Sequence, residues 1–214
     1  MMQSVRKMIG ATQTELLMVT PYFVPADEEL DTLRDLRHRN VSVSIVTNSL
    51  ESTPDLVAHA GYMQYRIPLL QQGVRMYEVR AQLGSTRGSG QTARLSRYGH
   101  YGLHGKLIVF DQNRMFIGSM NFDQRSKRLN TEVGLLIDGP ELAAQTAARF
   151  AAMSQPESAY ALSLRSDTDR GRPHIVWTAR ENGELVDYLK EPAPSAWWRM
   201  AAHLLSFLPV SREL

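Results

Sequence analysis

Up to Val79 the chain alternates short apolar runs with polar stretches of helical period. "ELLMVTPYFVP" (Glu15 to Pro25) is a continuous apolar run that reads as a buried strand stopped by Pro21. "ADEELDTLRDLRHRN" reads as a helix. Asp27, Glu28 and Glu29 open it and Arg37, His38 and Arg39 close it, matching the helix dipole at both ends. "VSVSIVT" (Val41 to Thr47) is a β-branched strand; a second helical stretch covers roughly Pro54 to Gln72, and "VRMYEV" is another strand. Strands alternating with helices predict βαβ units and a largely parallel sheet.

From Arg80 to Gly102 the pattern stops. "RAQLGSTRGSGQTARLSRYGHYG" is rich in Gly, Ser and Arg and reads as a loop. No carboxylate occurs between Glu78 and Asp111, whereas Arg80, Arg87, Arg94, Arg97 and Lys106 do. Three strands then follow in quick order, Leu103 to Asp111, Met115 to Ser119 and Thr131 to Asp138, the first two joined by a tight turn at "DQNR". "PELAAQTAARFAAM" is an Ala-rich helix. "IVWTARENGELVDYLKEP" predicts a hairpin around Asn182-Gly183, a favoured two-residue turn, and "PSAWWRMAAHLLSFLPV" a short amphipathic helix. The change of character near Gln155 divides the chain into residues 1–155, which hold the βαβ pattern, and residues 156–214, a hairpin with a helical tail.

Composition narrows the chemistry. The 214 residues include 43% apolar residues, enough for a proper core. The formal charge is only +2, from 24 basic and 22 acidic side chains, so bulk attraction for a polyanion is weak and nucleic acid is an unfavoured partner. There are no cysteines, which excludes disulfides, thiolate catalysis and Cys-type metal sites. The first residues lack the pattern of a signal peptide, and no run reaches the roughly 18 apolar residues of a membrane span. A soluble chain, or one lying on a surface, is expected.

Candidate chemistry concentrates in "LHGKLIVFDQNRMFIGSMNFDQRS". Alternate residues of a strand share a face, so His104 and Lys106 point one way and Asp111 the other. By the same parity Ser119 pairs with Asn121, and Asn130 with Glu132. Three neighbouring segments therefore bring His, Lys, Ser, Asn and Glu to one patch. A phosphodiester suits that set: Lys106 supplies a charged donor, Ser119 and Asn121 neutral ones. A histidine can attack phosphorus, and a carboxylate on its other ring nitrogen then fixes the tautomer; Glu132 is the candidate orienter. Asp111 is assigned a structural role, capping the turn at Gln112-Asn113.

These residues carry a family resemblance. "HGKLIVFD" fits the H-x-K-x-x-x-x-D motif of the phospholipase D superfamily, and "GSMNFDQRSKRLNTE" fits its G-S-x-N segment and downstream N-x-E. "TPYFVP", "VTNSL", "HAGYMQYR" and "LLQQGVRMYE" resemble the C-terminal half of bacterial cardiolipin synthase-like members. The resemblance implies a two-step transfer through a phosphohistidine without a cofactor or metal, acting on a phospholipid. It implies that His104 is the nucleophile or its partner acid, that Lys106 and Asn121 bind phosphate with Ser119 in support, and that Glu132 orients His104. It also implies a cytoplasmic chain, at most peripheral at the inner membrane.

The family builds one active site from two such motifs. His38, His59, His100, His174 and His203 lack a lysine two residues on, so this chain carries half a site. Either two identical chains meet about a twofold axis, or the chain is a fragment lacking an N-terminal half. The rival readings are a homodimeric nuclease of the same superfamily and a non-catalytic half that binds a partner chain or membrane.

Two further features stay open at this level. His59, Tyr62 and Arg66 share a helical face and either touch a lipid headgroup or pack beneath a loop. The tail with Trp197 and Trp198 either meets a membrane interface or docks on the domain's own core.

Overall fold

The fold was analysed in a computed structural model that describes residues 2–81, 102–123, 125, 126, 129–166, 171 and 173–208. The Gly-, Ser- and Arg-rich stretch 82–101, with its three interior arginines, lies outside the described residues.

The elements, in chain order, are α1 (Met2–Ala11), β1 (Glu15–Val19), α2 (Asp27–His38), β2 (Ser42–Asn48), α3 (Leu56–Met63), α4 (Arg66–Gln71) and β3 (Arg75–Val79). After the gap come β4 (Leu107–Phe110), β5 (Arg114–Gly118), β6 (Gly134–Asp138), α5 (Pro140–Met153), β7 (Ala159–Ser166), β8 (Pro173–Glu181), β9 (Glu184–Tyr188) and α6 (Ala196–Ser206).

Among the described residues nine strands form one sheet in the order β6-β5-β4-β1-β2-β3-β7-β8-β9. Apolar parity sorts its two faces. Leu16, Met18, Val43, Ile45, Met76 and Ile108 pack with Val5 and Ile9 of α1 and Leu33 and Leu36 of α2. Leu17, Val19, Val46, Val79 and Val109 pack with Ala143, Ala147 and Phe150 of α5. The continuous apolar run of β1 thus reflects burial on both faces, as expected of a central strand between helical layers.

Three local expectations need correction. The sheet is mixed, but only β1–β2 and β2–β3 are parallel pairs; β4 runs antiparallel to β1, and the remaining neighbours are antiparallel. Strands joined by tight turns must reverse, and after β3 such turns replace crossover helices. The single helix expected over 54–72 is two, because Pro68 lacks an amide hydrogen and its ring crowds the carbonyl four residues back, at Gln64, where the break falls. Finally, α1 was not anticipated; only Val5 and Ile9 are buried on it, too few to give a period.

The hairpin at Asn182-Gly183 forms, with φ of 50° and 90° at the two positions, the left-handed geometry such a turn requires. Strands β7–β9 continue the sheet begun by β1–β3 rather than standing apart from it.

Candidate active site

The site gathers where the parallel strands end and β4 begins. Val19 of β1 lies opposite Leu107, and Leu107 opposite Ile117. His104 and Lys106 are not inside β4 but in the segment leading into it. Asn48, the last residue of β2, holds that segment. Its side chain accepts from the Leu103 amide at 2.8 Å and donates to the Leu103 carbonyl at 3.2 Å. It also donates to Pro21 O at 3.2 Å, so one buried carboxamide ties the ends of β1 and β2 to the approach of His104.

The His104 ring is exposed, and Lys106 beneath it is only 8% exposed. The Lys106 ammonium donates to the His104 carbonyl at 2.9 Å and stands 3.4 Å from Nδ1 of the ring. Burial holds that ammonium below the ordinary lysine range, against the opposing pull of Glu132 and Asp123. The Gly118 amide donates to Lys106 O at 3.1 Å, which sets Ser119 beside the motif. Ser119 Oγ donates to Glu132 Oε2, and the Val133 amide donates to Ser119 Oγ at 3.0 Å. Asn130 donates to the other carboxylate oxygen of Glu132 at 3.2 Å.

His104, Lys106, Ser119 and Glu132 are therefore brought together. Glu132 accepts hydrogen bonds from Ser119 and Asn130 and, among the described residues, makes none to His104. It acts on the motif through its charge at Lys106. Asn121 follows Met120, which is buried, and its own Oδ1 is buried without a hydrogen-bond partner among the described residues. Such an acceptor is costly when left unsatisfied, and a ligand hydroxyl or a protonated ring would satisfy it. An exposed imidazole over a half-desolvated ammonium, rimmed by hydroxyl, carboxamide and carboxylate, suits attack on a phosphate ester. Among the described residues no group of three or more His, Asp or Glu side chains is arranged to hold a metal ion.

Residues 5–154 match the family model described as "Cardiolipin synthase, PLD-like domain". The chain belongs to this phospholipase D-like family. It is 36% identical over 206 residues to cardiolipin synthase C of Escherichia coli (strain K12), covering 94% of this chain and 41% of that relative. The chain thus spans less than half the length of that relative. Among solved structures, NucT from Helicobacter pylori superposes with a TM-score of 0.54 at 17% identity, covering 74% of this chain and 88% of that one. Phosphatidylserine synthase of Haemophilus influenzae Rd KW20 superposes at 0.52 and 20% identity, covering 72% and 35%. At these identities the superpositions establish the fold.

Other residues singled out in this phospholipase D-like chain lie elsewhere. His59, Tyr62 and Arg66 do share a face, but it points inward, and they are 3%, 2% and 1% exposed. Arg66 pairs with Glu78 at 3.1 Å and Glu191 at 2.6 Å, and its guanidinium lies 4.8 Å from the Tyr62 ring. His59 Nε2 is 2.7 Å from Glu191, and Trp177 donates to Glu78 at 2.9 Å. The expected headgroup contact is therefore corrected: these side chains close a buried ion network that a substrate does not reach. Asp111 is structural, but it does not cap its own turn. It accepts from the amides of Gln13, Thr14 and Glu15 at 3.0, 2.7 and 3.0 Å, fixing the start of β1.

Asn48 and Asp123 were missed from sequence. Asn48 follows Thr47 in a strand that already holds Ser42 and Ser44, so its polarity did not set it apart. Asp123 is 6% exposed and accepts from the Ser126 amide at 2.7 Å, and nothing in its neighbourhood of the sequence marks it out.

Proposed function

We propose that this chain supplies one half of an enzyme that transfers a phosphatidyl group through a phosphohistidine. The observation that carries the reading is the Lys106 ammonium, nearly buried and set directly beneath the exposed His104 ring. In the first step a ring nitrogen of His104 attacks the phosphorus of a phospholipid; an N–P bond forms as the P–O bond to the leaving alcohol breaks. The leaving oxygen takes a proton from an acid on the second half. The hydroxyl of a glycerol-bearing lipid such as phosphatidylglycerol then attacks the same phosphorus. Its proton passes to that acid's conjugate base, and the N–P bond breaks; water in place of the alcohol gives hydrolysis. With the roles exchanged, His104 is the acid. Lys106, Ser119 and Asn121 bind the phosphoryl oxygens, and Glu132 holds Ser119 and tempers the charge of Lys106.

The second half is either a missing N-terminal portion or another copy of this chain. Supporting this, the rim of the site is apolar and open: Leu129, Val133 and Leu135 are 78%, 72% and 63% exposed, and β6 is an edge strand. Residues 1–155 carry the motif, and residues 156–214 buttress it through β7–β9. The enzyme works from the cytoplasmic side, peripheral at the inner membrane.

The test supplies the chain, with a second motif-bearing half, with labelled phosphatidylglycerol and separately with a labelled oligonucleotide. Acid-labile label on His104 from the lipid, absent in His104→Asn, is the expected result. Label from the oligonucleotide alone would replace the lipid reading by a nuclease, and label from neither, in an assembled complex, by a non-catalytic half.

A further inference from the structure

Helix α6 is held to the body by one face and leaves a second apolar face in water. Ser195 caps its start, its Oγ accepting from the Trp198 amide at 3.1 Å. Ala202 is fully buried, and the helix packs on α3. Arg199 Nε donates to the Glu191 carbonyl at 2.7 Å, and Glu191 is itself locked to Arg66, so the rotation of the helix is fixed. In that rotation Trp197, Met200, Leu204, Phe207 and Leu208 all face solvent, Trp197 at 69% and Phe207 at 85% exposed. At 3.6 residues per turn these positions span an arc of about 100° that no charged residue interrupts. An ordinary surface helix turns its apolar stripe inward; this one does so with Ala202 and the half-buried Trp198 and Leu205, and carries a second stripe of large apolar residues outside.

Within residues 190–208 the charged side chains outside the core are Lys190 and Arg199. Lys190, Arg199 and His203 flank the stripe, and the segment's acid, Glu191, is buried in the Arg66 network; no other acid occurs from 192 to 208. Lys190 and Arg199 also face an open cleft of about 890 Å³, where with Arg80 they meet the acids Glu51, Glu181 and Asp187. This surface belongs to the β7–β9 end of the sheet, whereas the open rim beside His104 belongs to the β6 end.

We propose that α6 is an interfacial helix that lays Trp197, Met200, Leu204, Phe207 and Leu208 on an anionic phospholipid bilayer. Large apolar and aromatic side chains on one arc, bordered by cations, fit the boundary between headgroups and acyl chains. The cationic border complements an anionic leaflet. The inference deepens the phosphatidyl-transfer reading and rests on it for the purpose of docking: a diester in a bilayer has to be brought to His104.

The test is co-sedimentation of the chain with vesicles of phosphatidylcholine alone, and of phosphatidylcholine mixed with phosphatidylglycerol. Binding to the mixed vesicles, weakened by salt, is expected. The double variant Trp197→Ser, Phe207→Ser removes two exposed side chains, so its melting temperature should match the parent's, while its vesicle partitioning falls at least about tenfold. Undiminished binding by the double variant, or no binding by the parent, overturns the proposal. So does a parent that sediments as a dimer and a variant that sediments as a monomer, because the stripe is then a contact between copies. Transfer from a short-chain phospholipid below its micelle threshold, with the second half supplied, reads the chemistry separately and should be equal in parent and variant. A parent inactive in that assay, yet bound to vesicles through α6, sinks the transfer reading and leaves the docking result standing.

Discussion

Asp111 and Gly118 show how single positions hold the site from a distance. Asp111 has a φ of 51°, and its carboxylate collects three backbone amides and the Thr14 hydroxyl. Burial raises its pKa, but the hydrogen bonds from residues 13–15 outweigh it and hold the carboxyl below the ordinary range. Asp111→Asn keeps a residue tolerant of this backbone and loses the charge. It should cost about 1.5–3 kcal/mol of stability by denaturant melts. Because the folded pKa is depressed, that difference should be full above the unfolded value near pH 4 and vanish as pH falls through the folded value. Asp111→Ala should cost more, since alanine also resists positive φ. At Gly118 an added Cβ would meet Val133 O at 2.6 Å and Gly134 Cα at 2.9 Å, both backbone. Gly118→Ala should therefore spread β5 from β6, lose about 1–3 kcal/mol and draw Ser119 off Glu132. Lys106 makes the third expectation. Burial lowers its pKa, so the ammonium loses its proton earlier than an ordinary lysine as pH rises. The alkaline limb of the pH–rate profile should lie below that of Lys106→Arg, whose guanidinium does not titrate there. The histidine–lysine pair was legible in the sequence because its spacing is local. Asn48 was not, because its partner Leu103 is 55 positions away.

At the scale of elements, spacing brought His59, Tyr62 and Arg66 together and left open whether they met a headgroup or packed inward; the structure divides them between α3 and α4 and turns them inward. Spacing fixes which side chains lie together on a helix, and it is silent on what lies opposite. Here the opposite side holds Glu78 of β3, Trp177 of β8 and Glu191 after β9, all distant in sequence. The parallel units up to β3 were legible for the converse reason: each strand and its helix are adjacent in the chain. The later antiparallel additions follow from turn lengths, which the alternation of strands and helices does not encode. The buried network makes a sharp prediction. Burial pushes the Glu78 carboxyl up while Arg66 pulls it down, so removing the guanidinium leaves two carboxylates desolvated together. Arg66→Leu should destabilise by about 3–5 kcal/mol. If His59, Tyr62 and Arg66 instead bound the headgroup, Arg66→Leu would raise KM and leave the melting transition in place. A melting curve and a KM measured on the same variant decide between the two.

For the whole molecule, the motif leads into β4, two strands in from the β6 edge of the sheet. His104 is exposed, and the surface beside it, Ile117, Val133 and Leu135, is apolar in a position where a monomer would place polar side chains. The transfer proposed above needs both an attacking ring and a proton donor for the leaving oxygen, and the sequence carries a single H-x-K motif. The chain spans 41% of the length of its Escherichia coli relative. Val133→Lys with Leu135→Lys tests the covering directly. Both side chains are already in water, so the double variant should fold with a change within about 0.5 kcal/mol per site. Two ammonium groups in an apolar contact have no partner and lose their hydration, so association with the second half should weaken and transfer should fall in proportion. Sedimentation velocity reads the association, and label transfer at saturating second half reads the chemistry. Activity restored by raising the concentration of the second half would place the defect in assembly. A variant that associates and turns over like the parent would mean that the β6 edge is simply an apolar surface, and that His104 meets its proton donor on some other face.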